Sequence, residues 1–284
     1  MATTLPGPPR APDETTKKWF DESVVVPAAF SDLLVNYSHI PPSEVDKHVI
    51  ELRDRAWQIH PYPCLGQFRF LELNLSERGA LYARLLATLR AGGRFLDIGC
   101  CLGQDIRKLV HDGAPRGSAA GAELNAGFIE IGYELFRDRE TFGAPIVQAN
   151  ILEPVDAEGA PLAQFLGQLD VVQLGMILHL FTWAEQVAAF ENAIKLLNNG
   201  VKGTLIIGQA SGNLDGVATG GAWGRQTFKH NVETFEKLVK EVGSRTGTEW
   251  NVRAELDNGL SIYDGKRTWD DPKTRRLLFE VERV

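Results

Sequence analysis

The spacing of hydrophobic residues changes near residue 90. Before that point the apolar positions are typical of helices separated by irregular segments, and residues 44–59 and 76–89 are the two clearest helices. Ser43 is the expected N-cap of the first of them. We therefore expect residues 13–90 to form a helical N-terminal cap, followed by the main domain over residues 91–284.

From residue 94 onward, short apolar runs alternate with amphipathic stretches. The expected strands are 94–100, 119–124, 145–151, 169–174 and 203–209, and the expected helices are 104–111, 127–139, 183–197 and 232–242. Apolar strands separated by helices indicate an α/β fold with a doubly wound, mostly parallel sheet. Residues 249–256 and 276–284 predict an antiparallel hairpin at one edge, and the glycine-rich stretch 211–224 predicts a long loop.

Composition narrows the function classes. The 284 residues are 44% hydrophobic and 24% charged, which is typical of a globular protein. Acidic side chains outnumber basic ones by 37 to 30, and the resulting net charge of -7 disfavours nucleic acid or an anionic membrane surface as a partner.

The cysteine content and the short apolar runs are typical of a protein of the cytoplasm. Cys64, Cys100 and Cys101 cannot make a disulfide framework. Cys64, His60 and His48 have no recurrent metal-ligand spacing, so we predict no metal site. No apolar run approaches the length of a membrane span. We expect a cytoplasmic protein whose residues 1–12 form a mobile tail.

The turn after the first expected strand carries the strongest chemical signal, FLDIGCCLGQD over residues 95–105. Gly99 and Gly103 would let the backbone approach a ligand closely. Glu123, at the end of the next strand, can accept hydrogen bonds from two ribose hydroxyls. The glycines that a dinucleotide fingerprint needs are missing, and no Walker loop occurs. Asp97 suits a nucleoside with a charged amino-acid tail, because it can help neutralise an ammonium group.

The third strand completes this pattern. Asn150 can hydrogen-bond the adenine amino group, and Ile151 can pack on the ring. Each of these residue types is common in ordinary turns, but the ordered set at three successive strand ends favours a cofactor site. S-adenosylmethionine meets each of these requirements.

Four stretches carry a family resemblance: DIGCCLGQDIRKL (97–109), GAELNAGFIEIGYELFRD (121–138), PCLGQFRF (63–70) and GRQTFKHN (224–231). They resemble class I S-adenosylmethionine-dependent methyltransferases and, more narrowly, the carboxyl O-methyltransferases of fungal meroterpenoid biosynthesis. The resemblance runs from about Tyr37 to the C-terminus. It implies a Rossmann-like sheet of seven strands with an N-terminal helical cap. It also implies methyl transfer to a small terpenoid- or polyketide-derived acceptor, often at a carboxyl group.

The pattern and the resemblance together give a set of expected cofactor contacts. They are Asp97, Gly99, Cys100, Gly103, Gln104, Glu123, Leu124, Asn125, Asn150, Ile151, Leu174 and Gly175. One departure from the broad class is Cys101, which stands where a middle glycine is usual.

The acceptor side is less determined. His179 is the candidate base, and the fork of Arg225 can hold an acceptor carboxylate, although packing and a solvated loop are equally ordinary roles for them. The expected acceptor walls are Tyr37, Trp183, Trp223, Phe228 and His230. For each wall residue alone, core packing or helix capping is the commoner role.

Several alternatives stay open at this point. A carboxylate acceptor is ionised at neutral pH and needs no base, whereas a phenol benefits from one. A phenolic or hydroxyl O-methyltransferase, a cyclase or isomerase that retains the cofactor, and a non-catalytic partner subunit are the competing functions. The resemblance makes a homodimer plausible, and we expect the N-terminal helices to act as a lid that excludes water.

Overall fold

The computed structural model describes residues 11–220, 224–260 and 270–284. The chain divides into two compact units, one made of residues 11–93 with Cys100–Ala149 and the other of Arg94–Gly99 with the described part of Asn150–Val284. Most of the predicted tail and part of the glycine-rich stretch lie outside the described residues. The boundary at residue 90 and the lid both stay predictions.

A seven-stranded sheet is the centre of the fold. The strands of the described chain are β1 (Phe95–Ile98), β2 (Ala119–Glu123), β3 (Ile146–Gln148), β4 (Val171–Gly175), β5 (Leu205–Asn213), β6 (Val217–Gly220), β7 (Gln226–Lys229), β8 (Trp250–Asp257) and β9 (Thr274–Arg283). The sheet has the order β3-β2-β1-β4-β5-β9-β8, and β6 pairs with β7 separately. The pairs β2–β3, β1–β4 and β4–β5 are parallel, and β9 is antiparallel to both β5 and β8. The predicted mostly parallel α/β sheet and its antiparallel edge hairpin are confirmed.

The α-helices of the described residues are α1 (Ala28–Asp32), α2 (Val45–Ile59), α3 (Pro63–Gly66), α4 (Gly79–Arg90), α5 (Gln104–His111), α6 (Ala126–Phe136), α7 (Trp183–Leu196) and α8 (Val232–Thr246). Six of them lie where the hydrophobic pattern predicted a helix, whereas the short helices α1 and α3 were not predicted. A π-helical turn, Leu33–Tyr37, follows α1 directly. Helices α5 and α7 match their predictions to within one residue.

The predicted N-cap of α2 is wrong. Ser43 lies inside a 3-10 turn, Pro42–Glu44, and α2 begins only at Val45 with no side-chain cap. The proline sets the backbone angle for the start of that turn, so Ser43 falls within the turn instead of flanking the helix.

Within the first unit, α2 packs along α6. The Nε2 atom of His48 lies 3.0 Å from the carbonyl oxygen of Leu135. At the surface Arg55 forms an ion pair with Glu134. These contacts join the N-terminal region to the helix that follows β2.

A buried arginine organises the N-terminal region. Arg53 is 1% exposed, and its guanidinium lies 4.0 Å from the ring centre of Phe20 and 3.8 Å from that of Phe68. Its Nη1 atom donates to the carbonyl oxygens of Asp21 and Gly66, both at 2.8 Å. Because a buried charge is stable only when its donors are satisfied, these contacts fix two segments of chain, Phe20–Asp21 and Gly66–Phe68, around one side chain.

The predicted loop over 211–224 is wrong for most of its described length. Strand β5 continues to Asn213 by pairing with β9, and β6 forms a hairpin with β7. A Cβ atom at Gly212 would lie 2.6 Å from the carbonyl oxygen of His230. This glycine therefore serves a close approach between neighbouring backbones and not a turn.

Among the described residues, no helix combines the length and the apolar character needed to cross a membrane.

Candidate active site

The turn between β1 and α5 is held in a strained conformation. Gly103 precedes α5 with a φ of 73°, and Cys101 has a φ of 53°, a left-handed value that is costly for any residue with a side chain. A glycine at position 101 would adopt this conformation without strain, which explains why a middle glycine is usual there. The turn is closed by a hydrogen bond from the Gly103 amide to the Cys100 carbonyl at 2.8 Å.

The carboxylate of Glu123 is fixed by two backbone donors. The amide of Cys101 donates to its Oε2 atom at 2.9 Å, and the amide of Asn125 donates to Oε1 at 3.0 Å. Glu123 is 8% exposed, and burial raises the pKa of its carboxyl while the backbone donors oppose that shift. Each carboxylate oxygen retains a lone pair, so the group can still accept hydroxyl hydrogen bonds.

The two residues after Glu123, Leu124 and Asn125, each make a hydrogen bond within the protein. Asn125 caps α6 by accepting from the amide of Gly127 at 2.9 Å, and the Leu124 carbonyl accepts from Gln148 at 3.1 Å. In contrast, the buried Oε1 atom of Gln104 accepts no hydrogen bond from the described residues. A buried acceptor of this kind, at the start of α5, is suited to a donor on a ligand.

Cys100 is a packing residue. Its side chain is buried, and a Cβ atom at Gly121 would lie 2.9 Å from its Sγ atom. Only the backbone of Cys100 is therefore suited to contact a cofactor.

In the second unit, Asp97 is held by a cross-strand partner. Asp97 on β1 and Gln173 on β4 are register partners, and the Gln173 amide donates to Asp97 Oδ1 at 3.1 Å. Both side chains are buried. A Cβ atom at Gly175 would lie 3.8 Å from the same Oδ1 atom, and the Leu174 side chain is fully buried. The backbone of β4 thus ends beside a buried carboxylate.

Gly99 is required by sterics. A Cβ atom there would lie 2.4 Å from the Cγ2 atom of Ile177, and the φ of 76° would strain any other residue. Met176, which follows β4 and precedes Ile177, also has a left-handed φ, of 57°. Strain of this kind concentrates at functional sites.

Asn150 forms a turn after β3. Its Oδ1 atom accepts from the Leu152 amide at 3.0 Å, and its Nδ2 atom donates to Glu153 at 3.3 Å. Ile151 is buried, and its carbonyl accepts from Asn192 at 2.7 Å. The Asn150 side chain is thus held by its own turn, with one lone pair of its carbonyl oxygen remaining for a ligand donor.

His179 is oriented by β5. The amide of Ser211 donates to its Nδ1 atom at 3.3 Å. A nitrogen that accepts a hydrogen bond carries no proton, so the neutral ring has its proton on Nε2. The imidazole is therefore arranged to donate, not to accept, at its other nitrogen.

Three of the predicted wall residues lie together in the second unit. The ring centres of Trp183 and Phe228 are 5.0 Å apart in an edge-to-face arrangement, and His230 lies 4.8 Å from Phe228. The indole nitrogen of Trp183 donates to Glu241 at 2.8 Å. The cluster joins the start of α7 to β7. Trp223 lies outside the described residues.

His230, a predicted wall residue, is buried and has a side-chain partner beside each ring nitrogen. It is 2% exposed, its Nε2 atom lies 2.7 Å from the Gln186 carbonyl oxygen, and its Nδ1 atom lies 3.1 Å from the Thr234 hydroxyl. Burial lowers its pKa to about 4, so the ring is neutral at physiological pH.

Arg225 pairs with Glu185 in the first turn of α7. The other carboxylate oxygen of Glu185 accepts from the amide of Thr182 at 2.9 Å, in a capping box. The Arg225 fork is therefore engaged by a carboxylate in this structure.

Tyr37 makes a contact that its predicted role did not include. Its hydroxyl donates to Oδ2 of Asp138 at 2.8 Å, and Asp138 is also paired with Arg107. Arg107, Asp138 and Gln173 were missed as functional candidates. The first two lie inside the stretches that carry the family resemblance, whereas the cross-strand position of Gln173 has no local signal.

The structure places no group of three or more histidine, cysteine or acidic side chains suited to a metal ion within residues 11–220, 224–260 and 270–284. The predicted absence of a metal stays a prediction.

Comparisons with known proteins identify the family. Residues 19–71 match the family model described as "Meroterpenoid methyltransferase N-terminal domain". The O-methyltransferase atr3 of Stereocaulon alpinum is 39% identical over 259 residues, covering 89% of this chain and 71% of that protein. The O-methyltransferase phiE of a fungal species is 35% identical over 267 residues, covering 89% and 87%. The chain belongs to the class I S-adenosylmethionine-dependent methyltransferases. It is an O-methyltransferase that uses S-adenosylmethionine.

Solved structures agree with the fold of this methyltransferase. A Haemonchus contortus phosphoethanolamine N-methyltransferase, crystallised with S-adenosylhomocysteine, has a TM-score of 0.52 at 13% identity. The match covers 93% of this chain and 61% of that one. At this identity the likeness concerns the fold alone.

Proposed function

We propose that the methyltransferase esterifies a carboxylate of a small, largely apolar terpenoid- or polyketide-derived acceptor. The observation that carries the proposal is the state of the two histidines predicted on the acceptor side. His179 accepts a backbone hydrogen bond at Nδ1, and both nitrogens of His230 lie within hydrogen-bonding distance of side chains. Neither ring is arranged as a general base, which suits an acceptor that is already ionised at neutral pH.

The cofactor contacts are proposed from the two groups of residues described above. Glu123 would accept from the ribose hydroxyls, and Gln104 Oε1 offers an acceptor to the amino-acid tail. Asp97, which accepts a hydrogen bond from Gln173, would supply a buried negative charge for the ammonium group. Asn150 and Ile151 are proposed for the adenine. The buried acceptors and the crowded glycines fit this cofactor.

S-adenosylmethionine, when bound, supplies an electrophilic methyl group on a sulfonium. The work of the chain is then to align the acceptor oxygen with the carbon–sulfur bond and to exclude water. Alignment of two reactants can lower the barrier by about 7–11 kcal/mol. A carboxylate acceptor would bring its own negative charge to the sulfonium, so the residues of the chain would have to hold its oxygen in line and would not have to remove a proton.

His179 and Arg225 take positioning roles in this proposal. The Nε2 hydrogen of His179 can be donated to an acceptor oxygen, and the Arg225 guanidinium can hold a carboxylate. Trp183 and Phe228 would form an apolar wall, since their rings already pack against each other.

A paired acceptor screen tests the proposal. The purified protein is incubated with methyl-labelled S-adenosylmethionine and with aromatic and terpenoid acids, each matched to the phenol or alcohol of the same skeleton. We expect label in the acids only, in products that mild alkali hydrolyses back to the acid. An alkali-stable methyl ether on a phenol would overturn the carboxyl assignment. A product isomeric with its substrate would instead indicate a cyclase or isomerase.

A further inference from the structure

We infer that Tyr37, Asp138 and Arg107 form a buried chain of contacts that positions the cofactor turn, Cys100–Gly103. Tyr37 would then be a positioning residue for the binding of S-adenosylmethionine and would not line the acceptor site. The inference rests on the proposed function, because it takes this turn as part of the S-adenosylmethionine site.

Arg107 connects the end of α6 to the turn. Its Nε and Nη2 atoms donate to the two carboxylate oxygens of Asp138 at 2.9 and 3.0 Å. Its Nη1 atom donates to the carbonyl oxygens of Leu102 and Gly103 at 3.1 and 3.2 Å. The planar guanidinium makes all four bonds at once, which a lysine could not do.

The environment leaves this ion pair little freedom. Arg107 is 0% exposed and Asp138 is 3% exposed. Aromatic rings surround the guanidinium, with the centres of Phe136 and Phe142 both at 4.7 Å. A buried charge that loses its partners is strongly destabilised, so the pair holds the turn in one position.

The position of the turn determines the position of Glu123. The amide of Cys101, within the turn, is one of the two donors to that carboxylate. A Cβ atom at Gly103 would lie 2.3 Å from Arg107 Nη1, so only glycine lets the guanidinium reach the turn. A shift of Arg107 is therefore transmitted to the atoms proposed to hold the ribose.

Tyr37 makes the contact of this series that is most distant from the turn. It is the last residue of the turn Leu33–Tyr37, and its hydroxyl donates to the same Asp138 oxygen that receives Arg107 Nε. Burial, followed by the charge of Asp138, raises the pKa of the Tyr37 hydroxyl, so it remains a donor at any physiological pH. Through this bond the N-terminal region contributes to the geometry of the turn.

The test compares two tyrosines that have the same chemistry. Tyr37→Phe removes the hydroxyl that bonds Asp138. Tyr82→Phe is the matched control, because the Tyr82 hydroxyl donates to Asp112 at 2.8 Å and joins α4 to the end of α5 without touching the turn. Binding of S-adenosylhomocysteine is measured by calorimetry. Hydrogen exchange of the peptide over residues 99–103 is measured without cofactor.

We expect Tyr37→Phe to weaken S-adenosylhomocysteine binding roughly five- to tenfold and to speed exchange of that peptide. Tyr82→Phe should leave both within about twofold, although each variant should lower the unfolding temperature. Unchanged binding and exchange in Tyr37→Phe, or equal losses in Tyr82→Phe, would overturn the inference. Two results together would separate the inference from the proposed function. If the wild-type protein failed to bind S-adenosylhomocysteine, the proposed function would be contradicted. If exchange were still faster in Tyr37→Phe and not in Tyr82→Phe, the contacts from Tyr37 to the turn would stand.

Discussion

At the scale of single residues, the buried carboxylate of Glu123 connects cofactor binding to pH. Its ordinary pKa is about 4.3, and burial raises it. The ribose hydroxyls bond the ionised form, so protonation removes their acceptor. Affinity for the cofactor must therefore fall as pH is lowered through the raised pKa of this group.

We predict that S-adenosylhomocysteine binds more weakly as pH falls from about 7.5 toward 5, with the loss beginning above the range of an ordinary glutamate. Glu123→Gln should weaken binding at least about tenfold at neutral pH, because an amide cannot accept at both of its terminal atoms and one backbone donor then loses its partner. It should also flatten the pH dependence. Calorimetry over a pH series measures both effects.

The control for that series is Glu130→Gln, which changes an exposed acid on α6 that pairs with Arg139 at the surface. It should keep the wild-type pH dependence. A flat profile in the wild-type protein would contradict the proposed role of Glu123.

His179 gives a second prediction at this scale. In His179→Gln the side chain can still accept from the Ser211 amide and donate to an acceptor, so we expect the methylation rate to stay within about fivefold of wild type. Loss of a true general base would cost roughly 10²–10⁴-fold. With S-adenosylmethionine kept saturating at every pH, we also expect His179→Gln and the wild-type protein to share the same pH dependence of the methylation rate.

The measurement is the initial methylation rate across pH with the best acceptor from the paired screen. His179→Phe, which keeps the ring size but removes both nitrogens, serves as the comparison and should be slower than His179→Gln. Equal and severe loss in both variants would favour a base.

At the scale of elements, the bounds of helices and strands were predicted correctly where they depend on neighbouring residues. They were predicted wrongly where they depend on pairing with a strand distant in sequence. Helix α5 was predicted with its observed ends because its apolar positions and flanking glycine are adjacent in sequence. The extension of β5 to Asn213 depends on pairing with Thr274, and no local pattern shows it. The glycines of that region indicated a loop, whereas Gly212 serves a close backbone approach.

The contact of α6 with the cofactor turn gives a prediction for a helix. A Cβ atom at Gly132 would lie 2.5 Å from the carbonyl oxygen of Leu102. Alanine improves helix propensity by about 1 kcal/mol over glycine, but this clash is with backbone that Arg107 holds in place. The clash should therefore prevail, and Gly132→Ala should lower both the unfolding temperature and the affinity for S-adenosylhomocysteine.

Gly200→Ala is the matched control, since a Cβ atom there would lie 3.6 Å from its nearest neighbour, Asn198 Oδ1. Thermal unfolding and calorimetry of both variants measure the difference. Gly132→Ala with wild-type affinity would show that α6 does not constrain the turn.

At the scale of the whole molecule, the fold could be predicted from the sequence, and most of the proposed cofactor residues could be named from it. Both depend on short motifs at the ends of strands. The supporting contacts were not visible. Arg107 meets Asp138 from 31 positions away, and Tyr37 meets it from 101 positions away. The acceptor-side residues stay predictions, and the burial of His230 also depends on residues distant in sequence, such as Gln186. The homodimer and the compartment stay predictions.

The net charge gives a prediction for the whole chain. With 37 acidic and 30 basic side chains, the protein should repel phosphate backbones. We expect no retardation of duplex DNA or of transfer RNA at physiological ionic strength, and no label transferred to either from methyl-labelled S-adenosylmethionine. Salt-sensitive binding of either nucleic acid would contradict this expectation.

The pairing of Arg225 with Glu185 means that an acceptor carboxylate bound by this arginine has to compete with a carboxylate of the protein itself. Arrival of the acceptor would then loosen the first turn of α7, where Glu185 also closes the capping box. Trp183 begins that turn, so its fluorescence offers an optical signal for acceptor occupancy in the absence of any turnover.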